Sequence, residues 1–200
     1  GASGISGFSG YSGISGYSGK SGYSGYSGSA GAGGAIGNYG SFIDTSNQTG
    51  SLTEQIIGIN TAQAQVGISL TAPGRLVIAN VGTYKMTFSI QLENTDNAIH
   101  YADIWLRYNG SNYPDSNTRF FVPARKNATE FGYAVATVDF IGSSVAPGDY
   151  VELWWVTDST LVTIPTIPAY STVPETPGVI VNISQVMYTQ SGYSGISGFS

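Results

Sequence analysis

Cysteine is absent from this 200-residue chain. Neither a disulfide framework nor a thiolate metal site can therefore form, and stability has to come from burial and from association between chains. Charge is scarce too. Asp, Glu, Lys and Arg make up 10% of the residues, against roughly 25% in an ordinary soluble domain. Seven basic residues oppose twelve acidic ones for a net charge of −5, and no basic cluster exceeds Arg125–Lys126. A nucleic-acid groove neutralises phosphates with Lys and Arg in number, so nucleic acid is excluded as a partner. No apolar run reaches the roughly 18 residues of a membrane-spanning helix, and no membrane insertion is expected. No signal peptide is visible. The chain opens and closes in mid-repeat and reads as a cut from a longer polypeptide.

What is abundant is glycine, at 28 residues, about twice the usual share. It recurs at every third position: Gly1, Gly4, Gly7, Gly10, Gly13, Gly16, Gly19, Gly22, Gly25, Gly28, Gly31, Gly34, Gly37 and Gly40. Through the first nine triplets the third residue is always Ser, as in Gly4-Ile5-Ser6 and Gly22-Tyr23-Ser24. The pattern restarts at Gly192-Tyr193-Ser194. Three polyproline-II chains wind together only if the residue at the crowded axis has no side chain, and these fourteen glycines are the expected axis residues. A flexible Gly/Ser linker has no need to keep its glycines in phase. The triplets contain no proline, whose preset backbone angle would favour the wound state, so bundled polyproline-II or stacked aromatic arrangements stay open. The expected organisation is a collagen-like stalk over 1–42, a head over 43–190 and the start of a second repeat segment over 191–200.

In the head, period-two alternation takes over. From Tyr84 to Leu92 every even position is apolar and every odd one polar, which defines a half-buried antiparallel strand. Further strands are predicted over Tyr101–Tyr108, ending at the turn dipeptide Asn109-Gly110, and over Phe131–Ile141. In the latter a slip of apolar phase suggests a bulge near Ala136-Thr137. Tyr150–Val156 carries large apolar groups on both faces. Double-sided burial calls for a partner, so Tyr150, Leu153, Trp154, Trp155 and Val156 are the predicted interface between subunits. Weaker candidates are Gln65–Leu70, Arg75–Val81, Arg119–Val122 and Val179–Tyr188. No segment shows helical periodicity. The fold class is all-β, an antiparallel jelly-roll sandwich on a polyproline-II stalk.

Several blocks carry a family likeness: Gly82-Thr83-Tyr84, Asp103–Gly110, Ala146–Trp155 and Pro177–Ile183. With the flanking repeats, they make the head resemble the jelly-roll heads of the tumour necrosis factor and complement-head superfamily, in particular the C-terminal heads of tailed-phage structural proteins. Its Gly-Tyr-Ser and Gly-Ile-Ser triplets are similar to stalks in phages of marine bacteria. The resemblance implies a homotrimer and no reaction. It also implies a first strand over about Ser41–Gln48 running antiparallel beside the last, so that Gly40 and Gly192 leave from one pole. The expected function is a structural fibre or appendage module of a phage virion, in contact with other virion or filament subunits. The alternatives are a head that binds a host surface glycan or other receptor, and a filament protein of the bacterial cell surface.

Little chemistry competes with this reading. His100 is the only histidine, and no nucleophile-elbow context surrounds any candidate Ser. Carboxylates for glycoside cleavage would have to come from Glu93, Asp96, Asp103, Glu130 or Asp139, two of them some 5 to 10 Å apart. The turn Glu93–Asn97 is rich in oxygen but lacks the spacing of a calcium loop. Trp105, Trp154, Trp155 and Tyr150 read as core and interface, or as a sugar-stacking platform. No enzyme activity, cofactor or metal is expected.

Overall fold

A computed structural model describes residues 37–186. The axis glycines from Gly1 to Gly34, and the repeats from Gly192 onward, lie outside the described residues. Two antiparallel sheets make up the fold, and no helix occurs among the described residues. The first sheet contains β1 (Tyr39–Asp44), β2 (Gln48–Thr49), β4 (Thr61–Val66), β7 (Gly82–Asn94), β11 (Gly132–Ser144), β13 (Val162–Ile164) and β14 (Val179–Gln185). Its main order is β4-β1-β14-β7-β11, with β13 and β2 extending the far end of β7. The second sheet contains β3 (Gln55–Ile56), β5 (Ile68–Thr71), β6 (Arg75–Ile78), β8 (His100–Tyr108), β9 (Ser111–Asn112), β10 (Thr118–Val122) and β12 (Tyr150–Thr157). Its order is β10-β8-β12-β6-β5. The chain changes sheet after β2, β3, β4, β6, β7, β10, β11 and β12. Such interleaving of non-consecutive strands in two packed sheets is the jelly roll.

Alternation places the core. Tyr84, Met86, Phe88, Ile90 and Leu92 of β7 face Ile104 and Leu106 of β8 and Val151, Leu153 and Trp155 of β12 across the sandwich. At roughly 25 cal/mol per Å² of apolar surface removed from water, this double layer is the main source of stability in a chain without cysteines. The strand predicted over Arg75–Val81 is observed as β6. Gln65–Leu70 divides: Gly67, at φ 65°, turns the chain from β4 in one sheet to β5 in the other, a backbone conformation glycine adopts without steric cost. The Asn109-Gly110 turn forms as expected, with both residues at positive φ.

Two expectations are corrected here. β11 pairs with β7 in unbroken register from Gly132↔Asn94 to Ser144↔Gly82, so there is no bulge at Ala136-Thr137. Val135 simply stands on the outer face while Ala134, Ala136 and Val138 point inward. The head also begins earlier than residue 43. Gly40, expected at a stalk axis, lies inside β1, opposite Ile183 and Gln65. A Cβ there would fall 2.3 Å from the Phe42 ring, so the missing side chain serves the sandwich core. Asn38, beside Gly37, is buried and donates from Nδ2 to the Tyr84 hydroxyl at 2.8 Å.

β1 and β14 are antiparallel neighbours, as the resemblance implies. Gln185 N donates to Asn38 O at 2.8 Å, so the two ends of the described residues lie side by side.

Candidate functional site

The predicted interface strand β12 resolves into two different faces. Leu153 and Trp155 are fully buried between the sheets of one protomer and are therefore not available to a partner. Tyr150, Trp154 and Val156 do stand on the outer face of the second sheet, together with Glu152. Cross-strand pairing sets Trp154 opposite Trp105, Glu152 opposite Arg107 and Val156 opposite Asp103.

This outer face covers much of its own aromatic surface, although Phe121, edge-on to Tyr101, stays 65% exposed. The Arg75 guanidinium lies 3.9 Å over the Tyr150 ring and donates to Glu152 Oε1 at 2.9 Å. Glu152 Oε2 accepts from Trp154 Nε1 at 3.0 Å. Arg107 lies 3.6 Å over the Trp154 ring, donates to Asn112 Oδ1 at 2.7 Å and pairs with Glu54. Trp105 Nε1 donates to the same Asn112 oxygen at 2.9 Å. Arg119 grips Asp103 with two bonds, at 2.9 and 2.7 Å, and lies 3.8 Å over the Tyr101 ring. Cations over ring faces and forked arginine–carboxylate contacts are each attractive. Together they explain why β12 has apolar groups on both faces without needing a second chain. The hydrogen bonds to Glu152 and Asp103 raise the pKa of Arg75 and Arg119 further above the ordinary arginine value.

Beside this ladder lies an open groove of about 600 Å³, lined by Glu54, Asp103, Trp105, Asn112, Tyr113, Pro114, Asp115, Asn117 and Val156. Its rim is the segment 111–117, fastened to β8 from beneath. Buried Ser116 Oγ accepts from Leu106 N at 3.1 Å and donates to Tyr113 O at 2.7 Å. Tyr113 N donates to Leu106 O at 2.9 Å.

His100 sits between two carboxylates. Its Nε2 is 2.9 Å from Asp96 Oδ2, and its Nδ1 is 3.2 Å from Asp158 Oδ1, off the line of a straight hydrogen bond. The Asp96 hydrogen bond, with Asp158 adding to it, raises the imidazole pKa, and the same bond lowers that of Asp96. Among the described residues no serine hydrogen-bonds the ring, and the cluster is a clasp between two loops. The carboxylates weighed for glycoside cleavage are scattered. Asp139 pairs with Lys85 on the first sheet, Asp103 with Arg119 on the second, and Glu130 with Lys126. In the Glu93–Asn97 turn the oxygens are used locally: Asn94 Oδ1 accepts from Asp96 N, and Asp96 Oδ1 accepts from Asn97 N.

The arginine cover and the groove were missed in the sequence, although a signal was present. Tyr101-x-Asp103-x-Trp105-x-Arg107 and Tyr150-x-Glu152-x-Trp154 both alternate in step, mixing charge with aromatics on one face.

No family model matches the chain, and no curated protein matches it. Among solved structures it is similar to the crystal structure of murine APRIL at pH 5.0, with a TM-score of 0.46 and 8% identity, over 75% of this chain and 99% of that one. The jelly-roll assignment rests on the strand order itself.

Proposed function

We propose that the chain is a non-enzymatic structural module of a fibre or appendage in a phage virion, in which a trimeric head holds three glycine-period segments in register. The observation that carries this reading is the placement of the repeats. They stand on both sides of a head whose entry and exit strands, β1 and β14, are hydrogen-bonded neighbours. Winding of the repeats requires three chains, and the head supplies their registration.

The surface that supports association is not the predicted strand β12. It is β11, a thirteen-residue strand at the edge of the first sheet. There Tyr133, Val135 and Ile141 are 56%, 56% and 67% exposed. An apolar cleft of about 60 Å³, lined in part by Met86, Leu106, Phe140 and Ile183, opens beside Ile141. Long edge strands with exposed apolar side chains invite pairing unless they are covered, and two further copies of the chain are the cover proposed. Light scattering on the full chain tests this. The expected mass is three times 20.9 kDa, and a stable single-chain mass contradicts the reading.

A further inference from the structure

We infer that the groove between β8 and the segment 111–117 is a binding site for an uncharged saccharide. This goes beyond the proposed structural role and is tested separately from it.

Most polar groups of the groove floor are already occupied. Both oxygens of Asp103 are held by Arg119, Glu54 is held by Arg107, and Asn112 Oδ1 is shared by Arg107 and Trp105. These groups form a locked floor whose rotamers are fixed before any ligand arrives, and preorganisation of this kind lowers the cost of binding. What remains around the rim is a small mixed set. The Asp115 carboxylate has no ion-pair or hydrogen-bond partner among the described residues. The Asn112 amide nitrogen and the Asn117 side-chain carbonyl belong to the same rim, while Asn117 Nδ2 makes a long contact of 3.5 Å to Asp103 Oδ1. Carboxylate and amide oxygens accept only, and amide nitrogens donate only. A ligand that presents several hydroxyl groups satisfies all of them, since each hydroxyl donates and accepts.

Shape and charge narrow the class. The volume of about 600 Å³ falls within the range of small-ligand clefts. The Tyr113 ring, 39% exposed, suits the apolar C–H face of a sugar ring, and Trp105, 8% exposed, backs the wall from within. Two of the three lining carboxylates are neutralised by arginines, leaving a weakly negative site that disfavours acidic sugars. Asp115 is held at φ 58°, a conformation uncommon outside glycine, and the buried Ser116 beside it fastens that geometry to β8.

The test is retention of the full chain on a printed array with neutral saccharides, acidic saccharides and polylysine as separate arms. Binding to neutral saccharides is expected. Asp115→Asn preserves the residue type's tolerance for that φ but removes the charge. It and Asn117→Ala are each expected to weaken binding roughly tenfold, the equivalent of one charge-assisted hydrogen bond. Asn182→Ala, on the opposite sheet, should leave binding unchanged, and all three variants should melt like the parent. No retention on any saccharide, retention indifferent to both groove variants, or retention confined to acidic sugars or polylysine would each overturn the proposal. The oligomeric mass is read separately, so failure here leaves the structural reading standing.

Discussion

The two outer faces of the sandwich solve the same problem in opposite ways. On the second sheet, Tyr101, Trp105, Tyr150 and Trp154 would expose large rings, but Arg75, Arg107 and Arg119 lie beside or over them and are anchored by Glu152, Glu54 and Asp103. On the first sheet the outer positions of β7 and β14 are small and mostly polar: Thr83, Lys85, Thr87, Ser89 and Gln91 beside Ile180, Asn182 and Ser184. The ion pair there is Lys85–Asp139, and Tyr133, Val135 and Ile141 at its β11 edge are left bare. The second sheet leaves Phe121 as its exposed ring and covers the others from within the chain. The bare groups of β11 have no such cover in the chain, and further copies are the cover proposed for them.

The difference can be broken most severely at the bare edge. Val135→Glu combined with Ile141→Glu should convert the trimer to single chains by light scattering while near-ultraviolet circular dichroism stays native. Arg119→Glu on the other sheet should leave the mass unchanged. A trimer that survives the double glutamate would remove β11 from the interface.

Next in size is the loss of the covered face's anchor. Glu152 is 5% exposed and holds both Arg75 and the Trp154 indole. Glu152→Ala leaves those donors without their acceptor and should cost about 1–3 kcal/mol. At roughly 2–4 °C per kcal/mol for a domain of this size, that is a drop of several degrees in Tm. Ser69→Ala, exposed on β5, should change stability by no more than about 0.5 kcal/mol.

A smaller effect comes from pH. His100 has its pKa raised above 6.5 by the Asp96 hydrogen bond, with Asp158 beside it. Arg125 and Arg119 are the cations acting on these carboxylates. A raised histidine contributes stability that is complete below the unfolded value and is lost as pH rises through the folded one. Tm should therefore decline between about pH 6.5 and the higher folded value, and His100→Gln should flatten that decline. Asp149 behaves in the opposite sense. Hydrogen bonds from Tyr108, Asn109 and the Ala146 amide hold its pKa far below the usual carboxylate range. Its contribution is present above pH 3.8 and disappears as acid is added below that value.

Strand content was the most legible part of the sequence, because a sandwich with one solvated face writes period two directly. Tyr84–Leu92 and Tyr101–Tyr108 fall inside β7 and β8. The stalk boundary was misread because Gly37 and Gly40 continue the period of three by coincidence, and Gly40 is required by Phe42 instead. The interface expected on β12 and the one proposed on β11 differ for another reason. Apolar residues on both faces of β12 imply a cover, but alternation cannot say whether that cover is a second chain or three arginines far away in sequence. The groove was invisible because its wall is assembled from Glu54, β8, Asp115 and Val156, which share no local pattern.

The central claim, that copies meet along β11 while the second sheet stays free, is tested most directly by amide hydrogen exchange of the full chain at low and high protein concentration. Protection should rise with concentration along residues 132–144, with no change in β5 or residues 111–117. Exchange independent of concentration along β11, or protection gained only at residues 111–117, would contradict it.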